Sequence, residues 1–573
     1  MIGEGLPAQV LGTDDRGRPV EISVEHRYRG TLIAGPPGKG KSELMTDLML
    51  QDARHGAAIL VVDAHETIDH LLGRLPRKRH RDVVLLSVLG DEVPMWPALS
   101  NTEDKRLLSE LLVGAWRAIY GESSIGPRSD NVALNAFLTA PDRNLSPVEI
   151  MQVILDPAYR YACLDALKST AGHHALSRYW RTAGLNERAF QEWAQPVVNK
   201  LGPMESVPWL LRMLSGALLV PGNRQDWLPS QAVFEPDVEE VTWLGHGAAV
   251  LRRRDSEVPW GVDLSDILDS RLLRSINGQI VASDHLYQGA HMEVPPGRAD
   301  KNDPILGRPS DGERAKYGAA IDRWVQPRRQ RRGYERLAEL ELEPRGIHTQ
   351  QVIDIEEMLD LGRIVLVEVP QLRGPQVQAT VAALVLTAVT QRGLRTVSFP
   401  EERRRPVAVY MDEAGQFSGW SLAVALEQLR KSHTAFTLAV QHLGQLSRGG
   451  TDLDAVLSTV GSFVSLGSGM GDRGVVAKLL EVTEEVVGDL GRGEMLVKGL
   501  ADNWSVSKVR SAFRDEIGAE DTSQAADLRR SSSRQFNVST EAADAVCRSR
   551  NLQIQVARQP YAKPTGSART NLG

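Results

Sequence analysis

Residues 35–42 read Gly35-Pro36-Pro37-Gly38-Lys39-Gly40-Lys41-Ser42, which is the pattern GxxxxGK[ST] in full. Each residue type has a task in holding a triphosphate. Glycines let successive backbone N–H groups curl around phosphate oxygens. The N-terminus of a following helix adds favourable partial charge. Lys41 reaches the β- and γ-phosphates, and the Ser42 hydroxyl ligates Mg2+. The bland alternative is a chance glycine-rich turn. The flanks argue against it, because TLIAG at 31–35 reads as a buried strand and 41–54 carries helical spacing.

A second half of such a site is visible far along the chain. Residues 407–413 read Val-Ala-Val-Tyr-Met-Asp-Glu, an apolar strand ending in two acids. Asp412 is expected to hold the Mg2+ through water, and Glu413 to polarise the attacking water. The second acid points to hydrolysis rather than binding alone; the bland reading is an acidic strand end in solvent. Gln441 ends the next apolar strand, 435–441, where a neutral amide could sense the γ-phosphate or orient the water. The bland reading there is a polar strand end. Arg430 closes a helical stretch at 419–433 and could reach a neighbouring subunit's nucleotide. A cation favoured at a helix C-terminus explains it too, and Lys431 fits that equally well.

Two other nucleotide readings are weaker. Asp412-Glu413-Ala414-Gly415 fits DxxG, but the only string resembling a guanine-reading NKxD is Asn199-Lys200-Leu201-Gly202, which lacks the Asp and comes earlier in the chain. An AAA+ reading fails on spacing, since Lys41 and Asp412 lie much further apart than that class allows. ATP with Mg2+ is the expected cofactor pair.

The elements that must position these residues follow a pattern. Apolar runs at 57–63, 82–88, 363–369, 406–412, 435–441 and 461–466 alternate with helical stretches, which indicates a mainly parallel α/β sheet covered on both faces. Residues 494–498 and 504–510 could add an antiparallel edge. From about 101 to 220 apolar residues recur at three and four, and Pro141, Pro157, Pro196, Pro203 and Pro208 punctuate that stretch, so several helices are expected. The expected division is 1–100, the N-terminal part of the sheet domain; 101–220, an all-α insertion; 221–345, a mixed and partly loop-rich insertion; 346–515, the C-terminal part of the sheet domain; and 516–573, a partly disordered tail.

Composition sets the bounds. The chain has 573 residues, 42% hydrophobic and 24% charged, in the range of ordinary globular proteins. Lys and Arg total 67 and Asp and Glu 73, a net charge of −6, so the surface is not coated in positive charge, though a local basic channel remains compatible with it. Two cysteines, Cys163 and Cys547, exclude a disulfide framework and cysteine-based zinc sites. His173-His174 and His65 with His70 lack partners at metal spacing. No apolar run approaches the roughly 18–20 residues of a membrane span, and the start lacks a signal peptide's pattern. A cytoplasmic protein is expected, or one peripheral at the inner face of the cell membrane.

Taken together, GPPGKGKS, VAVYMDEAGQF, LEQLRKSHTAFTLAVQHLGQL and AAILVVDAHETIDHLL resemble the HerA/FtsK superfamily of ring ATPases. They are most similar to the TraG-like coupling ATPases of type IV secretion and conjugation. That family's pattern of a DE-ending strand, an Arg-Lys helix end, a Gln-ending strand and a QL pair is matched by Asp412–Glu413, Arg430–Lys431, Gln441 and Gln445–Leu446. The resemblance covers about 6–220 and 350–510. It implies a RecA-like motor forming a homo-hexameric ring that moves DNA, or a DNA–protein complex, with Arg430 acting in trans. A relaxase or a membrane-bound secretion component would be a partner. The chain departs from the family in lacking N-terminal spans. It also reads Asp63-Ala64-His65-Glu66 where an Asp-Pro-basic-Gly string is usual, so Asp63 and His65 are only weak candidates near the phosphates.

Arg323, Arg328, Arg329, Arg331, Arg332 and Arg336 with Trp324 and Tyr334 could contact a DNA backbone and stack on bases. The rival is a solvated helix face paired with Glu335, Glu339, Glu341 and Glu343. Two alternative functions stay open: a HerA-like motor for DNA end processing or phage defence with a separate nuclease, and a nucleotide-switched assembly scaffold.

Overall fold

The computed structural model describes residues 6–216 apart from short gaps at 64–66, 88–91, 100–103, 121, 141–144, 168–169 and 171. It also describes the strands between 238 and 281, and residues 352–558 apart from 370–374, 402–403, 413, 415–425, 427–428, 447–452, 500–505 and 512–519. Glu413, His65, Arg323–Arg336 and most of the helical stretch expected at 419–433 lie outside the described residues.

The strands in chain order are β1 (Gln9–Asp14), β2 (Pro19–Ile22), β3 (Thr31–Ala34), β4 (Ala58–Asp63), β5 (Val83–Ser87) and β6 (Glu92–Pro94). Next come β7 (Val238–Gly245), β8 (Ala248–Arg253), β9 (Trp260–Asp263), β10 (Arg274–Ile276) and β11 (Gln279–Val281). The last are β12 (Ile364–Glu368), β13 (Val407–Met411), β14 (Thr434–Val440), β15 (Ser462–Ser465), β16 (Glu494–Gly499), β17 (Ser507–Arg510) and β18 (Asn537–Ser539). One 11-stranded sheet runs β2-β1-β17-β16-β15-β3-β14-β13-β4-β12-β5. From β15 to β5 the neighbours are parallel. From β15 outward to β2 they are antiparallel. The α/β class with a mainly parallel sheet is the observed class.

The parallel strands are apolar on both faces because both faces are covered. Ile33, Ile59 and Val61 point into a core with Leu44, Met45, Leu48 and Met49 of helix Lys41–His55. Leu32, Leu60 and Val62 point into the other core, with Leu112 and Trp116 of helix Lys105–Tyr120 and Val381 and Leu384 of helix Pro375–Val397.

Among the described residues, 104–216 hold only helices: seven α-helices and one short 3-10 turn. Pro157 and Pro208 open helices at the first turn, as expected, where the missing N–H costs nothing. Pro196 and Pro203 do not separate helices; both lie inside the 20-residue helix Glu187–Ser206. The buried face of that helix, with Val197, Leu201 and Met204, holds it against its neighbours despite the lost backbone bonds.

The N-terminal hairpin β1–β2, not seen in the sequence, extends the sheet by pairing β1 with β17. A buried polar network ties it to the core: Gln9 Nε2 donates to Tyr410 Oη at 2.7 Å, Tyr410 donates to Asp52 Oδ2 at 2.5 Å, and Arg27 Nη2 lies 2.6 Å from the same oxygen. Within the expected tail, residues 522–558 form two helices joined by β18, which pairs with β6. Some of its polar residues are buried and paired with protein. Leu85 N–H donates to Ser532 Oγ at 2.8 Å, and Arg550 Nη1 lies 2.8 Å from Glu149 Oε1 with both side chains buried.

Candidate nucleotide site

The phosphate loop leaves the buried strand β3 at Gly35, whose N–H donates to the Val440 carbonyl of β14 at 3.1 Å. A side chain at Gly35 would meet Leu466 Cβ at 2.8 Å, so the close approach of the loop to the end of β15 requires glycine. Gly38 and Gly40 have φ of 78° and 100°, a left-handed conformation that other residues adopt at a cost. Gly40 is also the N-cap of helix Lys41–His55 and offers no side-chain cap. The N-terminus of that helix, without a side-chain cap, favours an anion. Lys39 turns aside, donating to the Leu490 carbonyl at 2.6 Å.

Lys41 faces the acid-bearing strand. Its Nζ lies 3.7 Å from Asp412 Oδ1, and both side chains are largely buried. Asp412 follows the fully buried strand β13, and its N–H donates to the Val62 carbonyl of β4 at 3.1 Å. Its other oxygen, Oδ2, accepts from Thr67 Oγ1 at 3.1 Å. Lys41 and Asp412 meet although the chain separates them widely, because β14 alone stands between β3 and β13.

Gln441 follows β14 and so leaves the sheet between those two strands. Gln445 holds its turn: the Oε1 of Gln445 accepts from Gln441 N–H at 2.7 Å and His442 N–H at 3.4 Å. Leu443 N–H donates to Asp472 Oδ2 at 2.5 Å, which ties this turn to the loop after β15. Asp63, at the matching end of β4, is fully buried and accepts from Ile68 N–H at 3.1 Å, so it caps the helix Thr67–Leu72.

The residues that would hold a nucleotide and Mg2+ fit as a set. A glycine cradle, a helix N-terminus, an ammonium group and a carboxylate lie together at one end of the parallel strands, with Ser42 in the first turn of the helix. Arg430 is elsewhere. It lies in the turn Arg430–Ser432 that precedes β14, and pairs loosely with Glu25 at 3.8 Å with both side chains exposed. The seven residues of β14 separate it from Gln441 by roughly 23 Å at the rise of a strand. His433, beside it, has φ of 58° and stacks on Tyr28 with ring centroids 5.3 Å apart.

Sequence reasoning missed Thr67, Asp472 and the Leu490 carbonyl. The helical spacing at 64–72 was the signal that could have drawn notice to Thr67. Among the described residues there is no cluster of three or more His, Cys, Asp or Glu able to hold a metal by themselves. Nor is any described helix long and apolar enough to cross a membrane.

Neither a family model nor a curated protein matches the chain. Among solved structures it is similar to the bacterial conjugative coupling protein TrwB in an unbound monoclinic form, with a TM-score of 0.46, 13% identity and 88% of each chain covered. It is similar to TrwB in complex with ADP and Mg2+, with a TM-score of 0.44, 14% identity and 90% of this chain and 99% of that one covered. It is also similar to VirB4 of Thermoanaerobacter pseudethanolicus, with a TM-score of 0.43, 10% identity and 90% of this chain and 100% of that one covered.

Proposed function

We propose that the chain is a Mg-ATP-driven motor ATPase of the conjugation and type IV secretion kind, moving DNA or a DNA–protein complex. The observation that carries the ATPase part is the meeting of Lys41 and Asp412 at 3.7 Å beside a glycine cradle. The motor part rests on the resemblance of the motif set to ring ATPases. In this reading Gly35, Pro36, Pro37, Gly38, Lys39 and Gly40 wrap the phosphates, and Lys41 neutralises the β/γ oxygens. Ser42 and Asp412 would hold Mg2+, which when bound would offset the negative charge that develops during phosphoryl transfer. Glu413 accepts a proton from the attacking water, and Gln441 orients that water.

Arg430 acts on a second copy of the chain. Its place at the far end of β14 supports this part of the reading, since its own phosphate loop is out of reach. A homo-hexamer is the proposed assembly, cytoplasmic or held at the membrane by a partner such as a secretion component. The test is hydrolysis of ATP by the purified chain with Mg2+, with and without DNA. Stimulation by DNA is expected. Hydrolysis indifferent to DNA would turn the reading toward a nucleotide-switched scaffold, and no hydrolysis under either condition would overturn it.

A further inference from the structure

We infer that Thr67 is a positioning residue for Asp412, and that its hydroxyl sets how tightly the chain takes magnesium together with ATP. The inference deepens the ATPase reading and rests on it.

A carboxylate at a strand end turns easily, because the torsion next to an sp2 carbon has a broad profile. Among the partners of Asp412, Lys41 faces Oδ1 at 3.7 Å and Thr67 Oγ1 donates to Oδ2 at 3.1 Å. The Thr67 bond is a hydroxyl donating to a carboxylate oxygen at 3.1 Å, long for an O–H···O bond but enough to favour one orientation. It fixes the plane of the carboxylate and leaves Oδ1 directed toward the phosphate-loop lysine.

Thr67 is well placed to hold that orientation. It is 1% exposed, and its β-branched side chain restricts its own rotamer. It opens the helix Thr67–Leu72, whose Ile68, Leu71 and Leu72 are fully buried. Three further contacts fix that short helix: Asp63 Oδ2 caps Ile68 N–H at 3.1 Å, Arg529 Nε lies 2.7 Å from Asp69 Oδ1, and His70 Nδ1 lies 2.7 Å from Glu520 Oε2. The capping task usual for a threonine at a helix start belongs here to Asp63. The Thr67 hydroxyl is thereby left to Asp412, and a role in helix initiation does not account for it. A group that orients a metal-holding side chain typically sets 10–100-fold of metal affinity or activity.

The test is equilibrium binding of a non-hydrolysable ATP analogue by the full chain, titrated with Mg2+ and repeated in EDTA. In Thr67→Val, which keeps the shape and removes the donor, the Mg2+ concentration for half-maximal enhancement of binding is expected to rise about 10-fold or more. Binding in EDTA should stay as in wild type, and Thr67→Ser should restore the wild-type midpoint. Thr67→Ala is a second donor-free variant should the valine pack badly. Equal midpoints for wild type and the donor-free variants overturn the inference, as does a serine variant that shifts as far as they do. Wild-type protein whose binding is indifferent to Mg2+ overturns the ATPase reading along with it.

Discussion

At one end of the parallel strands, the buried Asp412 touches both the buried Thr67 and the largely buried Lys41. At the other end, Arg430 and Glu25 form a pair 3.8 Å long whose side chains are 49% and 66% exposed. The first end is preorganised: its groups are desolvated and oriented by rigid elements, which is where electrostatic stabilisation of a transition state is strongest. The second holds its arginine loosely, in a pair of the kind worth little by itself. An arginine so held is inexpensive to transfer to another acceptor. On the proposed reading, the contrast is between residues that build a site within one chain and a residue offered to another chain.

The largest expected effect comes from breaking the first end. Lys41→Ala should lower ATP hydrolysis by on the order of 10^2–10^3 or more, as expected for removal of a preorganised charge donor. Retention of full activity would remove the phosphate loop from the account.

The next effect concerns what keeps the buried end in place. Arg529 joins Asp69 at 2.7 Å and makes two bonds to Glu368 at 3.0 and 2.8 Å, linking the C-terminal segment to the helix that carries Thr67. Arg529→Gln leaves the nearly buried Glu368 without its cation and should cost about 2–4 kcal/mol by chemical denaturation. An unchanged denaturation midpoint would show that the C-terminal helices are not part of this core.

The smallest effect is one of pH and lies near the exposed end. Burial pushes Glu356 up to about 7, Arg395 partly opposes this, and Asp354 and Asp360 add to it. Between about 4.5 and 7 the folded chain keeps a proton that the unfolded chain releases. The contribution of Glu356 to stability therefore falls as pH rises through that window and is constant above it. Glu356→Gln should raise stability by about 1–3 kcal/mol at pH 8 and change it little at pH 4, read from denaturation at both. Equal effects at both pH values would contradict this.

The parallel strands and the phosphate loop were legible in the sequence for a physical reason. Strands buried on both faces, such as Ala58–Asp63 and Val407–Met411, are continuous apolar runs, and the glycines of the loop have no good substitutes. The hairpin β1–β2 was not legible, because β1 breaks its alternation where the register shifts at Val10–Gly12 and the short β2 begins with Pro19 at an edge. The packing of segment 522–558 was masked by its polarity: Arg529, Ser532 and Arg550 look solvated but find buried partners in Glu368, the Leu85 N–H and Glu149. Thr67 was hidden for another reason. Its partner lies 345 residues away, and no local pattern announces a side-chain bond across that distance.

One measurement tests the contrast between the two ends most directly. Arg430→Ala and Lys41→Ala proteins are each expected to be nearly inactive alone, the first by roughly 10^3-fold, the usual worth of an arginine supplied to a transition state. Mixed in equal amounts with ATP, Mg2+ and DNA, they should regain a substantial part of the wild-type rate, because a Lys41→Ala subunit still presents Arg430 to the intact phosphate loop of an Arg430→Ala neighbour. A mixture no more active than the sum of its two components would contradict the account.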